Sequence, residues 1–166
     1  ADWDTGRRVV EAAGLLDESF VLLYSDNFAL VDLAVLAERH AATGRSLTVT
    51  LKSKTGGNVR YSPQRDITVY DPTRSSLGLD HVEIGYMLVA RDPTLKMLEV
   101  ADGYPDIAFS DVLSAAAEVG ELGGLETGGA YYSVSDPTRL ELTRDYFSTK
   151  KILLIDRDGT ISRRLA

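Results

Sequence analysis

The most informative segment of this sequence is residues 20–27, which read FVLLYSDN. Phe20 to Tyr24 is an unbroken apolar run, which is typical of a strand buried in a parallel sheet. Asp26 lies two residues after the end of that run. Because open α/β sheets bind ligands beyond the carboxyl ends of their strands, Asp26 is a candidate Mg²⁺ ligand. The alternative is that Asp26 only starts the loop or caps the next turn.

The segments on either side alternate between helical and strand patterns. The predicted helices cover residues 5–16, 32–44, 110–117 and 136–147. Asp32 and Asp136 are the expected N-caps of two of them, and Gly44 is expected to end the helix that Asp32 begins. The predicted strands cover residues 20–24, 46–52, 58–61, 67–70, 82–90, 130–134 and 150–155. Residues 121–129 are interpreted as a glycine-rich link. This order predicts an α/β fold, a three-layer Rossmann-like sandwich with a mostly parallel sheet, incomplete at the N-terminus.

Composition narrows the chemistry. The 166 residues include 18 Lys and Arg against 25 Asp and Glu, for a net charge of −7. That balance argues against a nucleic-acid partner, which would need a basic face. No apolar run suits a membrane span and no secretory signal is visible, so we expect no membrane partner and a cytoplasmic protein. There are no cysteines and only two histidines, His40 and His81, so we expect any chemistry of this chain to use carboxylates and a hard metal ion.

The chain resembles the sugar-1-phosphate nucleotidyltransferases of the mannose and manno-heptose type over residues 5–147. The resemblance rests on a Thr-Gly stretch, a helix and an apolar strand ending in Ser-Asp. It continues through GNV at 57–59, VEIGY at 82–86 and YYSVSDP at 131–137. It implies transfer of a nucleotidyl group from a nucleoside triphosphate to a sugar phosphate, with Mg²⁺ as cofactor. Whether the chain forms a homo-oligomer is left open by the sequence.

The resemblance also implies roles for individual residues. Asp26 matches the first Mg²⁺-binding aspartate. Thr5 and Gly6 match a segment near the nucleobase, and Glu83 and Gly85 match the strand that lines the sugar pocket.

Three features depart from the family pattern. The Gly-rich N-terminal loop that cradles the triphosphate is absent. Ser133 stands where the second metal aspartate is expected, and Tyr70-Asp71-Pro72 replaces the usual Glu-Lys-Pro. Because phosphoryl transfer needs positive charge near the developing oxyanions, we expect the chain by itself to be inactive.

A second candidate site reads DRDGT at residues 156–160, after the apolar run 152–155. It resembles the first motif of haloacid-dehalogenase-type phosphatases of the histidinol-phosphate and heptose-bisphosphate branch. That resemblance implies Asp156 as nucleophile and Asp158 as acid/base, with both carboxylates near Mg²⁺. A calcium loop would need a preceding helix and a glutamate at its twelfth position. An acidic turn without chemistry is the other alternative.

Two domains are therefore predicted. Residues 1–147 form a nucleotidyltransferase-like domain lacking its Gly-rich part, and residues 148–166 begin a phosphatase domain. We interpret the chain as an internal piece of a bifunctional sugar-nucleotide biosynthesis protein. The alternative is a non-catalytic sugar-nucleotide-binding or regulatory module attached to a phosphatase.

Overall fold

A computed structural model of the chain describes residues 2–99 and 106–148. The chain divides into two compact units, Ala1–Tyr131 and Tyr132–Ala166, which are described separately below. No helix within the described residues is long and apolar enough to cross a bilayer.

Five α-helices and eight strands are described. The helices are α1 Thr5–Ala12, α2 Leu33–Thr43, α3 Arg91–Leu98, α4 Phe109–Glu118 and α5 Pro137–Ser148. The strands are β1 Ser19–Leu23, β2 Asn27–Ala29, β3 Leu47–Ser53, β4 Val59–Ser62, β5 Asp66–Tyr70, β6 His81–Ala90, β7 Leu122–Glu126 and β8 Tyr131–Ser133. The α/β class and the positions of β1, β3 and β6 confirm the sequence prediction.

The central sheet of the first unit has the strand order β5-β4-β6-β3-β7, with β1 also paired to β6. Here the prediction of a mostly parallel sheet is wrong. β6 lies antiparallel to β1, β3 and β4, β4 pairs antiparallel with β5, and only β3 and β7 form a parallel ladder among the described pairs. An apolar run carries no information about strand direction. The prediction that residues 20–24 form a buried strand is also wrong, because Val21 and Leu23 of β1 are 41% and 53% exposed.

Helices cover both faces of this sheet. Leu47, Val49 and Leu51 of β3 belong to the core cluster that includes Val112 and Leu113 of α4. Residues between them point to the other face, because side chains alternate along a strand. There Thr48 Oγ1 lies 2.8 Å from His40 Nδ1 of α2. The predicted three-layer arrangement is therefore present in the first unit.

The boundaries of α2 follow the predicted signals. The Asp32 side chain accepts hydrogen bonds from the amides of Ala34 and Val35, at 2.9 and 3.2 Å. Gly44 ends the helix in the left-handed conformation, with φ at 62°. An aspartate at the N-cap and a glycine after the last turn each satisfy backbone groups that the helix leaves unpaired.

Strand β7 lies inside the segment that the sequence analysis interpreted as a link. Its glycines face close neighbours: a Cβ on Gly124 would lie 2.7 Å from Leu51 Cδ1 and 3.0 Å from the Tyr61 ring. Glycine weakens a strand in isolation, but it allows a close approach to neighbouring groups. The glycines are therefore part of the packing of a strand.

The second unit contains helix α5, whose start is capped as predicted. Asp136 Oδ1 accepts a hydrogen bond from Arg139 N at 2.9 Å. Within this unit the Tyr132 and Tyr146 rings stack with centroids 4.3 Å apart. Thr143 Oγ1 donates to the Ser133 carbonyl at 2.9 Å, which ties the helix to the end of β8.

Candidate functional site

Asp26 lies exposed in the tight turn that follows β1. Asn27 N donates to the Tyr24 carbonyl at 3.2 Å and closes this turn. The carboxylate is therefore at the carboxyl end of a strand, as the sequence predicted, and it is accessible to a ligand. The Asp26 side chain is not the cap of α2, because Asp32 performs that role.

Glu83 is brought next to Asp26 by the pairing of β6 with β1. Its side chain is buried, with 6% exposed, on the face of β6 that also carries Met87 and Val89. The Gly85 amide donates a hydrogen bond to Glu83 Oε1. Burial raises the pKa of Glu83 to about 7, the Gly85 hydrogen bond opposes this shift, and the charge of Asp26 adds to it.

Gly85 is a glycine for steric reasons. Its φ is +82°, and a Cβ there would lie 2.4 Å from Asn27 Nδ2 and 3.0 Å from Tyr24 Cβ. The register between β3 and β6 shifts at this point, so Gly85 lies in a bulge. Bulges re-aim side chains at functional sites, and here the bulge allows Glu83 to turn back onto the Gly85 amide.

Three further residues surround Glu83, and the sequence analysis gave them no role. Burial raises the pKa of the Tyr24 and Tyr70 hydroxyls far above the usual range, and the charge of Glu83 acts in the same direction on both. Asn58 Oδ1 accepts a hydrogen bond from Glu83 N at 2.9 Å. The sequence contains one local signal for this site, since Asn58 directly follows Gly57. The structure explains that glycine, because a Cβ on Gly57 would lie 1.8 Å from the His81 carbonyl oxygen.

The raised pKa of Glu83 predicts a pH-dependent stability. Between pH 4.5 and about 7 the unfolded chain releases this proton while the folded chain keeps it. Because the folded state then binds more protons, its stability falls as the pH rises through that window, by roughly 3 kcal/mol. Glu83→Gln should match the wild type near pH 4.5 and be more stable than it at pH 8. Urea denaturation at several pH values measures the difference.

Glu38→Gln is the matched control, since Glu38 lies exposed on α2. Its difference from the wild type should stay within about 0.5 kcal/mol at every pH, as for most exposed positions. A difference between Glu83→Gln and the wild type that does not change with pH would contradict the assignment of this titration to Glu83.

Thr5 and Gly6 lie at the junction of α1 with the start of α4. Thr5 Oγ1 accepts a hydrogen bond from Phe109 N at 2.8 Å and so caps α4 from outside that helix. Gly6 N donates to the Ile107 carbonyl at 2.9 Å, and a Cβ on Gly6 would lie 2.6 Å from that oxygen. Both residues therefore have structural functions here. Thr5 and Tyr24 line one apolar groove of about 310 Å³ beside α1 and β1.

Asp71, at the position where the family pattern has lysine, belongs to a self-contained turn. Its carboxylate accepts hydrogen bonds from the amides of Thr73 and Ser76, at 2.8 and 2.7 Å, and from the Thr73 hydroxyl at 2.7 Å. These hydrogen bonds hold the pKa of Asp71 well below its usual range. Asp71 therefore shapes its own loop.

Ser133, at the second metal position of the family pattern, is buried in the second unit. Its hydroxyl accepts a hydrogen bond from Arg139 Nη1 at 3.1 Å. No group of three or more carboxylates or histidines that could hold a metal is found within residues 2–99 and 106–148. Asp156 and Asp158 lie outside the described residues. The structure thus brings together Asp26, Glu83 and Gly85 from the predicted set.

Comparison with known proteins gave structural matches only. No protein-family model and no curated protein matches the sequence. One structural neighbour is a candidate glucose-1-phosphate thymidylyltransferase from Bacillus anthracis in complex with sucrose. It has a TM-score of 0.74 and 14% identity, over 93% of this chain and 65% of that one. The chain therefore spans just under two thirds of that neighbour.

Two further neighbours carry nucleotide ligands. UDP-glucose pyrophosphorylase, complexed with UDP-glucose, matches with a TM-score of 0.69 and 13% identity, over 90% of this chain and 64% of that one. HddC from Yersinia pseudotuberculosis, complexed with GMP-PN, matches with a TM-score of 0.64 and 11% identity, over 89% of this chain and 64% of that one. The chain has the fold of the sugar-1-phosphate nucleotidyltransferases among these neighbours.

Proposed function

We propose that this chain is a nucleotidyltransferase-like segment of a sugar-nucleotide biosynthesis protein. Such a protein joins the phosphate of a sugar 1-phosphate to the α-phosphorus of a nucleoside triphosphate and releases pyrophosphate. The observation that supports this most is the meeting of Asp26 and Glu83 at the end of β1. The fold shared with the structural neighbours adds to it. A cytoplasmic location, where nucleoside triphosphates are present, is part of the proposal.

Asp26 fits the role of an Mg²⁺ ligand. Its carboxylate is exposed at the end of a strand, and Mg²⁺ prefers oxygen ligands. Mg²⁺ is usually held by one or two carboxylates together with waters and substrate phosphates, so a site built on Asp26 does not need a cluster of three acids. When bound, the ion would offset negative charge on the phosphates.

Glu83 fits the role of a group that orients the sugar. A buried carboxyl with a pKa of about 7 is present in both protonation states near neutral pH. It can accept a hydrogen bond from a sugar hydroxyl when ionised and donate one when protonated. The Gly85 amide holds one of its oxygens in place.

Asp26→Asn tests the proposal. In the protein that contains this chain, nucleotidyl transfer should fall by at least roughly tenfold to a hundredfold, because that is the loss when a residue that only supports a metal ligand is replaced. Pyrophosphate release from a panel of nucleoside triphosphates and sugar 1-phosphates measures the rate. Calorimetry on this chain should show only weak binding of Mg²⁺-triphosphate.

Asp17→Asn is the control, because Asp17 is an exposed loop residue ahead of β1. It should transfer nucleotides as fast as the wild type. Equal rates for Asp26→Asn and the wild type, or tight Mg²⁺-dependent triphosphate binding that survives the substitution, would exclude Asp26 as the metal ligand.

A non-catalytic sugar-nucleotide-binding module is the second candidate. One observation in its favour is that Asp71, in its own turn, occupies the position where the family pattern has lysine. The other is that no described cation lowers the pKa of Glu83. A site without a cation to stabilise the transition state would bind a sugar nucleotide without turning it over. Sugar-nucleotide binding that depends on Glu83, together with no pyrophosphate release, would select this candidate.

We extend the proposal to the motif at residues 156–160. Its support is the sequence alone: an apolar run followed by Asp156, Asp158 and Gly159. In a phosphatase, Asp156 would attack phosphorus, and Asp158 would protonate the leaving sugar oxygen. The product of such a step on a sugar bisphosphate is the sugar 1-phosphate that the transferase consumes.

A further inference from the structure

Two arginines near the β4–β5 hairpin lack the acidic partners that neighbouring arginines have. Arg39 and Arg45 both approach the Asp66 carboxylate, with nitrogen–oxygen distances of 2.8 and 3.6 Å. Arg60 and Arg65 form no ion pair with another described residue.

Arg60 and Arg65 line the same cleft. It measures about 450 Å³, and its walls are Arg60, Tyr61, Ser62, Arg65, Thr68 and Asp80. The cleft therefore combines two cations with two aliphatic hydroxyl groups and a phenol, all of which can donate hydrogen bonds. It contains neither Asp26 nor Glu83.

Hydrogen bonds within the chain shape the cleft. Arg60 Nη2 donates a hydrogen bond to the Leu77 carbonyl, which holds the guanidinium against the loop between β5 and β6. Ser62 Oγ accepts a hydrogen bond from Arg65 N at 3.2 Å, which shapes the turn that carries Arg65. These hydrogen bonds fix the Arg60 guanidinium and the backbone that carries Arg65, while the exposed Arg65 side chain has no described hydrogen bond.

The Asp80 carboxylate lines the cleft, but one of its oxygens contacts groups other than the two arginines. Asp80 Oδ1 accepts a hydrogen bond from Tyr61 N at 3.0 Å and lies 2.7 Å from His81 Nδ1. Asp80 is not within ion-pair distance of either guanidinium. Because no ion pair joins Asp80 to Arg60 or Arg65 among the described residues, the two guanidinium groups remain available to an anion.

We propose that this cleft binds a phosphate group of a small-molecule ligand. Guanidinium groups match phosphate oxygens in geometry and charge, and such charge-assisted hydrogen bonds are stronger than neutral ones. The volume of the cleft leaves room for more than a single phosphoryl group. This site is separate from the proposed transfer site, so the two proposals can fail independently.

Calorimetric titration of the chain with inorganic phosphate, pyrophosphate and a sugar 1-phosphate, each without metal, tests the proposal. Arg65→Gln should weaken binding by about tenfold or more, since one charge-assisted hydrogen bond contributes on that order. Arg65 is exposed and its side chain has no described hydrogen bond, so the variant should fold as the wild type does. Arg60→Gln should weaken binding in the same way.

Arg144→Gln is the matched control. Arg144 is exposed on α5 and lies outside the cleft, so its replacement should leave binding unchanged. Binding of phosphate and pyrophosphate that depends on Arg65 supports recognition of the phosphate group alone. If the sugar 1-phosphate alone binds, and its binding depends on Arg65, the site is supported and the phosphate group that it recognises belongs to a sugar phosphate. Binding that is equal in Arg65→Gln and the wild type, or no binding of any probe, overturns the proposal.

Discussion

Replacing Asp66 with alanine should lower the free energy of unfolding by about 3–5 kcal/mol, the usual cost of removing one partner of a buried ion pair. Asp66 is 6% exposed, and its Oδ1 accepts a hydrogen bond from Gly124 N at 2.6 Å. Its other oxygen accepts from Arg39 Nη2 at 2.8 Å. The substitution would leave a buried amide without an acceptor and two guanidinium groups without their counter-charge.

Asp66→Asn separates charge from geometry. Asp66 has a φ of 63°, a conformation that asparagine tolerates better than alanine does. Asparagine keeps an oxygen for Gly124 N, but it loses the charge and presents an NH2 group, which cannot accept, to Arg39 Nη2. Because the buried Gly124 amide keeps its acceptor, we expect a smaller loss of about 1–2 kcal/mol. Urea denaturation followed by circular dichroism measures all variants, with Asp17→Asn as the exposed control. A loss below 1 kcal/mol in Asp66→Ala would show that this network does not stabilise the sheet.

Asp156→Asn should abolish phosphate release from a sugar bisphosphate in a protein that carries the complete phosphatase. An amide neither attacks phosphorus nor balances the charge of a bound Mg²⁺ as a carboxylate does. Asp158→Asn should slow the reaction by roughly 10²–10⁴-fold, the usual contribution of one general acid/base. Phosphate release from a heptose or hexose bisphosphate, with and without Mg²⁺, measures both variants.

Asp145→Asn is the control for these variants, because Asp145 lies exposed on α5. Its turnover should equal that of the wild type. Undiminished turnover in Asp156→Asn would exclude Asp156 as the nucleophile. Measurable hydrolysis by the 166-residue chain alone would contradict the interpretation of residues 148–166 as only the start of the phosphatase.

The position of Asp26 could be predicted from sequence because its signals are local. An apolar run of five residues predicts a strand, and the polar residues after it predict a turn. The burial of that strand did not follow, since Val21 and Leu23 are exposed. The same holds for α2, whose N-cap Asp32 and terminal Gly44 act on backbone groups within the helix itself. Such signals do not depend on which other segments lie nearby.

The environment of Glu83 could not be predicted in this way. Its pKa is raised by burial and by the charge of Asp26. Its neighbours Tyr24, Tyr70 and Asn58 come from three distant segments. The sequence does not show whether a glutamate within an apolar strand faces solvent or the core. The bulge at Gly85 is also not visible in the sequence, because it arises from the pairing of β6 with β3.

The sequence by itself therefore determined the α/β class, the helix caps and the placement of Asp26 after β1. Only the tertiary structure decided that β6 runs antiparallel between β1 and β3, and that β7 is a strand despite Gly123 and Gly124. Strand direction depends on how the intervening chain returns to the sheet. Glycines in a strand are favourable only where a neighbour such as Leu51 occupies the space that a Cβ would fill.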